Sequence, residues 1–319
     1  MFTSYLDLFK AIHAEDVIDA GHVRVKEIIN CSIELRPSEM YASFVRRGLD
    51  YGYIAAQLAW YLRAQAHVLD GIDTYDTSWR RIVEPDVNSN YGLYVFAEKQ
   101  WVQCVLGRLR LDPLSRQAII LFNRPEVHQS ATTDHICTTS LQFLIRDDNL
   151  YAIGTMRSND IWGGMCHDVP FFMMLQALTV AYLRPTMPNL QQGLYFHHVG
   201  SMHAYERDWK KIADLVADPT IEKTSMPELT DLADARRIVT ELGPAEEVLR
   251  MEVLDSMRGG APTIDDIVSS YNSTGTPVFC WHIRQIVNKL CQIYSSPSGT
   301  TPPPLRIVEK PSSATKPSG

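Results

Sequence analysis

Residues 168–183 (DVPFFMMLQALTVAYL) are apolar nearly all round. A helix without a polar face has to be covered on every side, so this stretch predicts a buried helix at the centre of the molecule. The sequence holds no run of about 18 apolar residues, so no membrane span is expected. Strand-like segments flank the buried run. Residues 117–122 (QAIILF) are an apolar run of strand length, and 139–145 (TSLQFLI) partly alternate. Residues 150–156 follow the turn residues Arg146-Asp147-Asp148-Asn149. Residues 193–198 form a further strand that ends in a GSMHAY turn, with His197 and His198 facing opposite sides.

The remaining segments frame this centre. Leu6, Leu8, Phe9 and Ile12 fall at helical spacing over 5–14, and residues 25–35 read as a strand. After Pro37-Ser38 a long helical region is predicted over 39–69, with Tyr53, Ala56, Trp60 and Leu62 near one face. Residues 70–91 read as an irregular loop, and 96–109 as a helix stopped at Asp112-Pro113. Residues 205–216 are amphipathic and helical. Beyond Pro219 the chain is richer in charge, with helices predicted over 229–242, 244–257 and 278–293. From Ser295 onward 14 of 25 residues are Pro, Ser or Gly, which predicts a disordered tail. The expected organisation is a catalytic domain over 1–218, a helical extension packed on it over 219–294, and the tail over 295–319.

A chain of 319 residues carries a prior of about two domains or one large one with additions. With 45 % apolar and 21 % charged residues it is neither disordered nor fibrous. A net charge of −7 argues against a protein that coats nucleic acid. Six scattered cysteines with no C-x-x-C pair read as reduced thiols in a cytoplasmic protein. The first residues include early acids and no apolar run, so no signal peptide is expected.

Chemistry-bearing residues are densest between Arg116 and Tyr205: Arg116, Cys137, Arg157, Ser158, Asp160, Asp168, His203 and Tyr205. Arginines near serines and a histidine suit a phosphate and a sugar. A cysteine beside arginines would have its thiolate stabilised, and the thiolate is the nucleophile. Each residue also has an ordinary structural explanation. Cys137 could be core, His203 a surface loop residue and Asp168 a helix N-cap. Neither a G-x-x-x-x-G-K-[ST] loop nor a G-x-G-x-x-G turn is present. The H-x-E and P-C-x-x-C set of zinc cytidine deaminases is missing as well, since His167-Asp168-Val169 supplies no Glu.

Five blocks become specific when read in order: Asn88-Ser89-Asn90-Tyr91-Gly92, Asp112-Pro113-Leu114-Ser115-Arg116, Cys137-Thr138-Thr139-Ser140-Leu141-Gln142-Phe143, Met156-Arg157-Ser158-Asn159-Asp160 and Gly200-Ser201-Met202-His203-Ala204-Tyr205. Over about residues 5–215 this series resembles the thymidylate synthase superfamily. Within it, the match is closest to the pyrimidine-nucleotide hydroxymethylases: phage dCMP hydroxymethylases and the CMP hydroxymethylase of mildiomycin-type antibiotic pathways.

The resemblance implies an α+β fold, a mixed β-sheet flanked by helices with a helical C-terminal addition, in a homodimer. It implies that Cys137 adds to C6 of the pyrimidine, that Tyr91 takes part in proton removal from C5, and that 5,10-methylenetetrahydrofolate supplies the one-carbon unit. Arg157 and Ser158 match phosphate ligands, and Asp160 shares their motif and counts with the substrate-binding residues. Arg116 matches an arginine that reaches the partner's phosphate, although the usual second arginine is Gln117. Arg24 matches a further phosphate arginine, followed here by Val25-Lys26-Glu27 in place of the usual Gly and Thr. His203 and Tyr205 match ribose ligands, and Trp79 faces the folate or fills the core.

Asp168 falls where uracil-specific members carry Asn. A carboxyl accepts from the cytosine amino group and, when protonated, donates to N3, so the resemblance implies a cytosine nucleotide. An unpaired polar edge costs about 1–3 kcal/mol, roughly ten- to hundred-fold in affinity for the wrong base. The longer chain leans to CMP over dCMP.

The family's catalytic glutamate is replaced by Gln57, before Leu58-Ala59-Trp60, and Gln cannot act as a general base. Either Asp70, Asp73 or Asp76 takes over, or water is positioned without full deprotonation, or activity is lost. Synthases close the site with an apolar C-terminal segment; a Pro/Ser tail leaves the site wetter and favours hydration over reduction. The reaction implied is 5-hydroxymethylation of a cytidylate, the alternatives being a methylating synthase and an inactive nucleotide-binding homologue.

Overall fold

The computed structural model describes residues 1–295 except 22, 66–68, 83–86, 130–132, 225 and 274. The expected disordered tail lies, from residue 296, outside the described residues. In chain order the elements are α1 (Tyr5–Ala14), β1 (Val17–Ala20), β2 (Val23–Leu35), α2 (Tyr51–Arg63), α3 (Ile72–Tyr75) and α4 (Trp79–Ile82). Two π-helical turns, Leu93–Ala97 and Trp101–Leu106, lead into α5 (Gly107–Leu111). Then come β3 (Ile119–Leu121), α6 (Pro125–His128), β4 (Thr138–Arg146), β5 (Asn149–Asp160), α7 (Met165–Leu183) and β6 (Gln191–Tyr205). The chain continues through α8 (Trp209–Ala217), α9 (Leu232–Met257), α10 (Ile264–Tyr271) and α11 (Pro277–Ser295).

The six strands form one mixed sheet in the order β1-β2-β6-β5-β4-β3. All neighbours are antiparallel except β5 and β6. A parallel pair needs a crossover, and α7 supplies it. The expected α+β architecture, a mixed sheet with flanking helices, is the one observed.

α7 is the buried helix that the apolar run predicts, with Phe172, Met173, Leu178 and Leu183 fully enclosed. Each such side chain contributes about 1.5–3 kcal/mol relative to exposure. Gln176 and Thr179, polar and fully buried along its length, are both bonded, as burial requires. The Gln176 amide donates to the Leu150 and Gly193 carbonyls at 2.7 and 3.1 Å, clamping the starts of β5 and β6. The Thr179 hydroxyl accepts from the Trp101 indole N–H at 2.9 Å.

Several elements differ from the sequence reading. The long helix predicted over 39–69 is confined to α2, which starts where the Asp50 carboxylate caps the Tyr53 N–H at 2.9 Å. The loop predicted over 70–91 contains the short helices α3 and α4. β6 runs on through the GSMHAY segment because β5 lies alongside it, with Asp160 paired to His203. Gly200 fits there because a Cβ would come 2.7 Å from the Arg157 carbonyl oxygen. α9 is continuous through Pro244, where a break was expected. The missing Pro N–H costs one helical bond, while packing on α2 holds both halves in line.

α9 meets α2 through a buried ionic cluster. Arg63 pairs with Asp70 and, at 2.5 Å, with Glu246, which also takes Arg250 at 3.0 Å and the Tyr75 hydroxyl at 2.6 Å. Burying such charges costs several kcal/mol per ion unless each is paired and hydrogen-bonded. The Asp234 carboxylate accepts from the Val278 and Phe279 N–H groups and so ties α9 to the start of α11. No described helix is long and apolar enough to cross a membrane.

Candidate active site

Cys137 ends the loop before β4, and Arg157 on β5 holds that loop in place. The Arg157 N–H donates to the Cys137 carbonyl at 2.9 Å, its Nε to the Ile136 carbonyl at 3.1 Å and Nη2 to the His135 carbonyl at 2.9 Å. The guanidinium thus stands beside the thiol while keeping an exposed edge for an anion. The thiolate-favouring effect expected of arginine is present, but burial outweighs it. The Cys137 thiol sits above its ordinary pKa, raised first by burial, lowered by Arg157, and raised again by Asp168 and Asp134.

The Asn88-Ser89-Asn90-Tyr91-Gly92 block explains itself residue by residue. Asn88 donates to the Asp134 carbonyl at 3.2 Å, and the Ser89 N–H and hydroxyl both donate to the Asp134 carboxylate, at 2.7 and 2.5 Å. These bonds fix the other end of the Cys137 loop. The Asn90 side-chain oxygen Oδ1 accepts from the Gly92 N–H, and a Cβ on Gly92 would sit 1.9 Å from the Tyr61 carbonyl oxygen. Between them Tyr91 enters the core, where its hydroxyl accepts from Thr138 Oγ1 at 2.8 Å. Burial, Asp168 and Cys137 keep it a neutral phenol, well above its ordinary pKa.

Asp168 lies in the first turn of α7, but the N-cap is Gly164, so the capping explanation for Asp168 is set aside. Burial pushes the pKa of its carboxyl up to about 7, and the Asn159 side chain opposes the rise. The carboxyl therefore exchanges a proton near neutrality, and its charge acts on both Tyr91 and Cys137.

The sugar-facing residues lie on β5 and β6. Ser158 Oγ is 3.5 Å from His203 Nδ1, and the His203 and Tyr205 rings meet edge to face at 4.9 Å. His203, expected on a loop, is a strand residue. The Asp160 carboxylate accepts from the Trp162 and Gly163 N–H groups at 3.0 and 3.2 Å and shapes the turn into α7. Arg207, which the sequence reading passes over, lies on the Tyr205 ring at 4.3 Å and reaches Asp160 at 3.8 Å.

The other expected residues stand apart from this cluster. Arg24 belongs to β2, next to the Val25–Tyr205 pair, and its guanidinium is taken by Glu206 at 2.5 Å. Arg116 is exposed on the loop before β3, with Arg108 and Asp112 around a surface hollow of about 250 Å³. Trp79 is buried, packs against Trp60 at 5.1 Å and donates its indole N–H to the Tyr53 hydroxyl at 3.0 Å. Gln57 donates to the same hydroxyl at 3.4 Å. Of the three loop acids, Asp70 is taken by Arg63 and Asp73 by Arg80 at 2.7 Å. Asp76 caps the Ser78 N–H and acts on Tyr53 and His167.

The sequence reading missed Asp134, Thr138, Tyr53 and Asn159. Thr138 and Asn159 were within the quoted blocks, but their roles depend on partners 47 and 38 residues away.

Comparison with known proteins identifies the family. The family model described as thymidylate synthase matches residues 3–239, about three quarters of the chain. The deoxycytidylate 5-hydroxymethyltransferase of Enterobacteria phage T6 is 30% identical over 213 residues, covering 63% of this chain and 85% of the phage protein. The protein of the same name from Enterobacteria phage T4 is 29% identical over the same span. With the loop cysteine, its arginine clamp and the five blocks in their places, the chain belongs to the thymidylate synthase family.

Proposed function

We propose that the protein is a cytidylate 5-hydroxymethyltransferase that uses 5,10-methylenetetrahydrofolate. The observation that carries this reading is the Asp168 carboxyl, poised at about pH 7 beside Cys137. Such a group presents both an acceptor for the cytosine amino group and, protonated, a donor for N3. The phage relatives, named for deoxycytidylate, support the choice of base.

Cys137 supplies the sulfur that adds to C6, which leaves C5 electron-rich. Arg157 offers its exposed edge to the phosphate; Ser158, His203 and Tyr205 line the ribose. Bound methylenetetrahydrofolate supplies a one-carbon unit at the oxidation level of formaldehyde. Tyr53 and His167, whose rings meet at 4.7 Å next to Asp168, would offer an outer face to a flat heteroaromatic ring. Burial and Arg47 lower His167 to about 4, so it stays neutral there. Tyr91 passes the proton that leaves C5. Gln57 cannot accept a proton, so Asp76 takes the one released when water adds to the new exocyclic carbon.

The same reading makes the working unit a homodimer. Leu144, Tyr151, Ile153, Leu194 and Phe196 point alternately to the sheet face away from α7 and are only half-buried, and a second copy would cover them. It would also bring the exposed Arg116 to the partner's phosphate. Residues 1–218 carry the chemistry and 219–294 brace it. Six free thiols suit the cytoplasm. The longer chain leans to CMP, and the names of the phage relatives support dCMP.

Release of tritium from [5-³H]CMP and [5-³H]dCMP tests the reading. Release that requires methylenetetrahydrofolate and is at least about tenfold slower from the uracil nucleotides is expected. Faster release from dUMP would favour a methylating synthase.

A further inference from the structure

We propose that His282, on α11, completes the active site by holding a water against Gln57 and His167, and that this is the water added to the exocyclic carbon. The inference rests on the hydration step given above. It adds a residue of the helical extension that lies beyond the 3–239 span of the family match. α2, α7 and α11 close around a cavity of about 10 Å³, lined by Gln57, His167 and His282, with Ile54, Pro170 and Met174 among its apolar walls. A space of that size takes one water, and three polar groups are enough to hold it.

The hydrogen-bond roles follow from the donor inventory. His282 Nδ1 lies 2.8 Å from the Val278 carbonyl oxygen. A carbonyl only accepts, so Nδ1 carries the proton and Nε2 of the neutral ring keeps a lone pair. The ring is neutral near pH 7, since burial lowers its pKa to about 4. His282 is 1 % exposed, so bulk solvent does not serve that lone pair. Gln57 Nε2 donates to the Tyr53 hydroxyl at 3.4 Å, which leaves Gln57 Oε1 as a second acceptor. The neutral His167 ring has one N–H to donate. Two acceptors and one donor match the two hydrogens and the lone pairs of a single water.

The sequence brings α11 close enough for this. A Cβ on Gly52 of α2 would come 2.4 Å from Lys289 Cβ and 2.8 Å from the Gln285 carbonyl oxygen, so only glycine admits α11 there. Asp50, at the start of α2, pairs with Lys289 at 2.5 Å. The Asp234 carboxylate accepts from the Val278 and Phe279 N–H groups at 2.8 and 2.9 Å. That fixes the turn whose Val278 carbonyl orients the His282 ring, so the direction of Nε2 is set by the extension itself.

The cavity lies beside the chemistry. His167 precedes Asp168 on α7, and its ring meets that of Tyr53, which also takes the Gln57 amide. A glutamate at position 57 would offer a water two acceptor oxygens. Gln57 keeps one of them, and His282 Nε2 supplies another. In the hydration step the water oxygen bonds to the exocyclic carbon. The π pair of that carbon's double bond moves into the ring as the 5,6 bond, and the C6–S pair leaves with Cys137. The proton of the water goes to Asp76, as above. His282 takes no proton in this step and acts by position.

The test compares the full-length parent with His282→Leu, His282→Asn and His282→Gln. Asn keeps a donor near the Nδ1 position for Val278 and loses the Nε2 acceptor, whereas Gln reaches the Nε2 position. A crystal structure of the parent should show an ordered water within hydrogen-bond distance of His282 Nε2 and Gln57, missing from His282→Leu. In a single turnover of 5-tritiated cytidylate, tritium release should keep the parent's rate in every variant. The gain of CH₂O should slow about tenfold in His282→Leu and His282→Asn and recover in His282→Gln. No water in the parent's cavity overturns the proposal. So does an equal slowing of tritium release and hydroxymethyl formation, which is the mark of a merely structural role, and so does a folded His282→Asn with the parent's rates. If the parent turns over no pyrimidine nucleotide, the functional reading fails, while the crystal structures still decide whether His282 holds a water.

Discussion

Cys137→Ser lowers kcat by about four orders of magnitude or more while nucleotide affinity changes less than tenfold. A serine hydroxyl is neither soft nor ionised at neutral pH, so it is a far weaker nucleophile toward C6 than the thiolate. Loss of a covalent nucleophile removes the whole route through the adduct, with an effect of the size seen for other nucleophiles that act as a unit with their neighbours. Arg157 bonds the Cys137 loop through backbone carbonyls, so the substitution leaves the loop in place. Affinity is then set by groups the variant keeps. The parent has its own pH signature. Since burial holds the thiol above its ordinary value, kcat/KM rises with pH through the alkaline range until the thiol is ionised. Steady-state kinetics of both proteins from pH 6 to 10 read the loss and the limb together. A variant that keeps more than about one percent of turnover would remove Cys137 from the chemistry.

Asp168→Asn moves base preference from cytosine to uracil. The amide offers a fixed donor and a fixed acceptor, which match O4 and N3–H of uracil and oppose the cytosine edge. Each mismatched buried bond costs about 1–3 kcal/mol, so kcat/KM for the cytidylate falls roughly ten- to hundred-fold and that for the uridylate rises by a similar factor. The change also shows in stability. Asp168 has a folded pKa of about 7, above the unfolded value, so the native state binds the proton more tightly. Stability of the nucleotide-free parent therefore falls as pH rises from about 4 through 7, and the amide removes this dependence. The Tm of Asp168→Asn gains on that of the parent between pH 5 and pH 8. Unchanged base preference would take Asp168 out of base recognition.

Local pattern carried much of the fold. The apolar run in α7 announced the central helix, and the strands around it could be read from β-branched and alternating residues. What pattern could not supply were features decided by neighbours. Gly200 looked like a turn residue, yet it sits in β6 because β5 comes too close for a side chain. Trp79 looked suited to a flat ligand, yet its indole N–H finds Tyr53 and its ring finds Trp60. Pro244 looked like a helix end, yet packing against α2 carries α9 through it. The same holds at the site. Cys137 and Arg157 were singled out from block order and Asp168 by its count from Arg157. The clamp of Arg157 on three carbonyls, the Ser89–Asp134 tether and the Asn159–His197–Tyr195 chain depend on contacts across 20 to 45 residues, or on alternation along a strand that was read as too short.

The central claim is that this site adds a hydroxymethyl group to C5 of a cytosine nucleotide. Mass analysis of the nucleotide after incubation with methylenetetrahydrofolate and each of CMP, dCMP, UMP and dUMP tests it most directly. The account predicts a gain of CH₂O on CMP or dCMP and none on the uracil nucleotides. A gain of CH₂ on any of them, or no gain on a cytidylate, would contradict it.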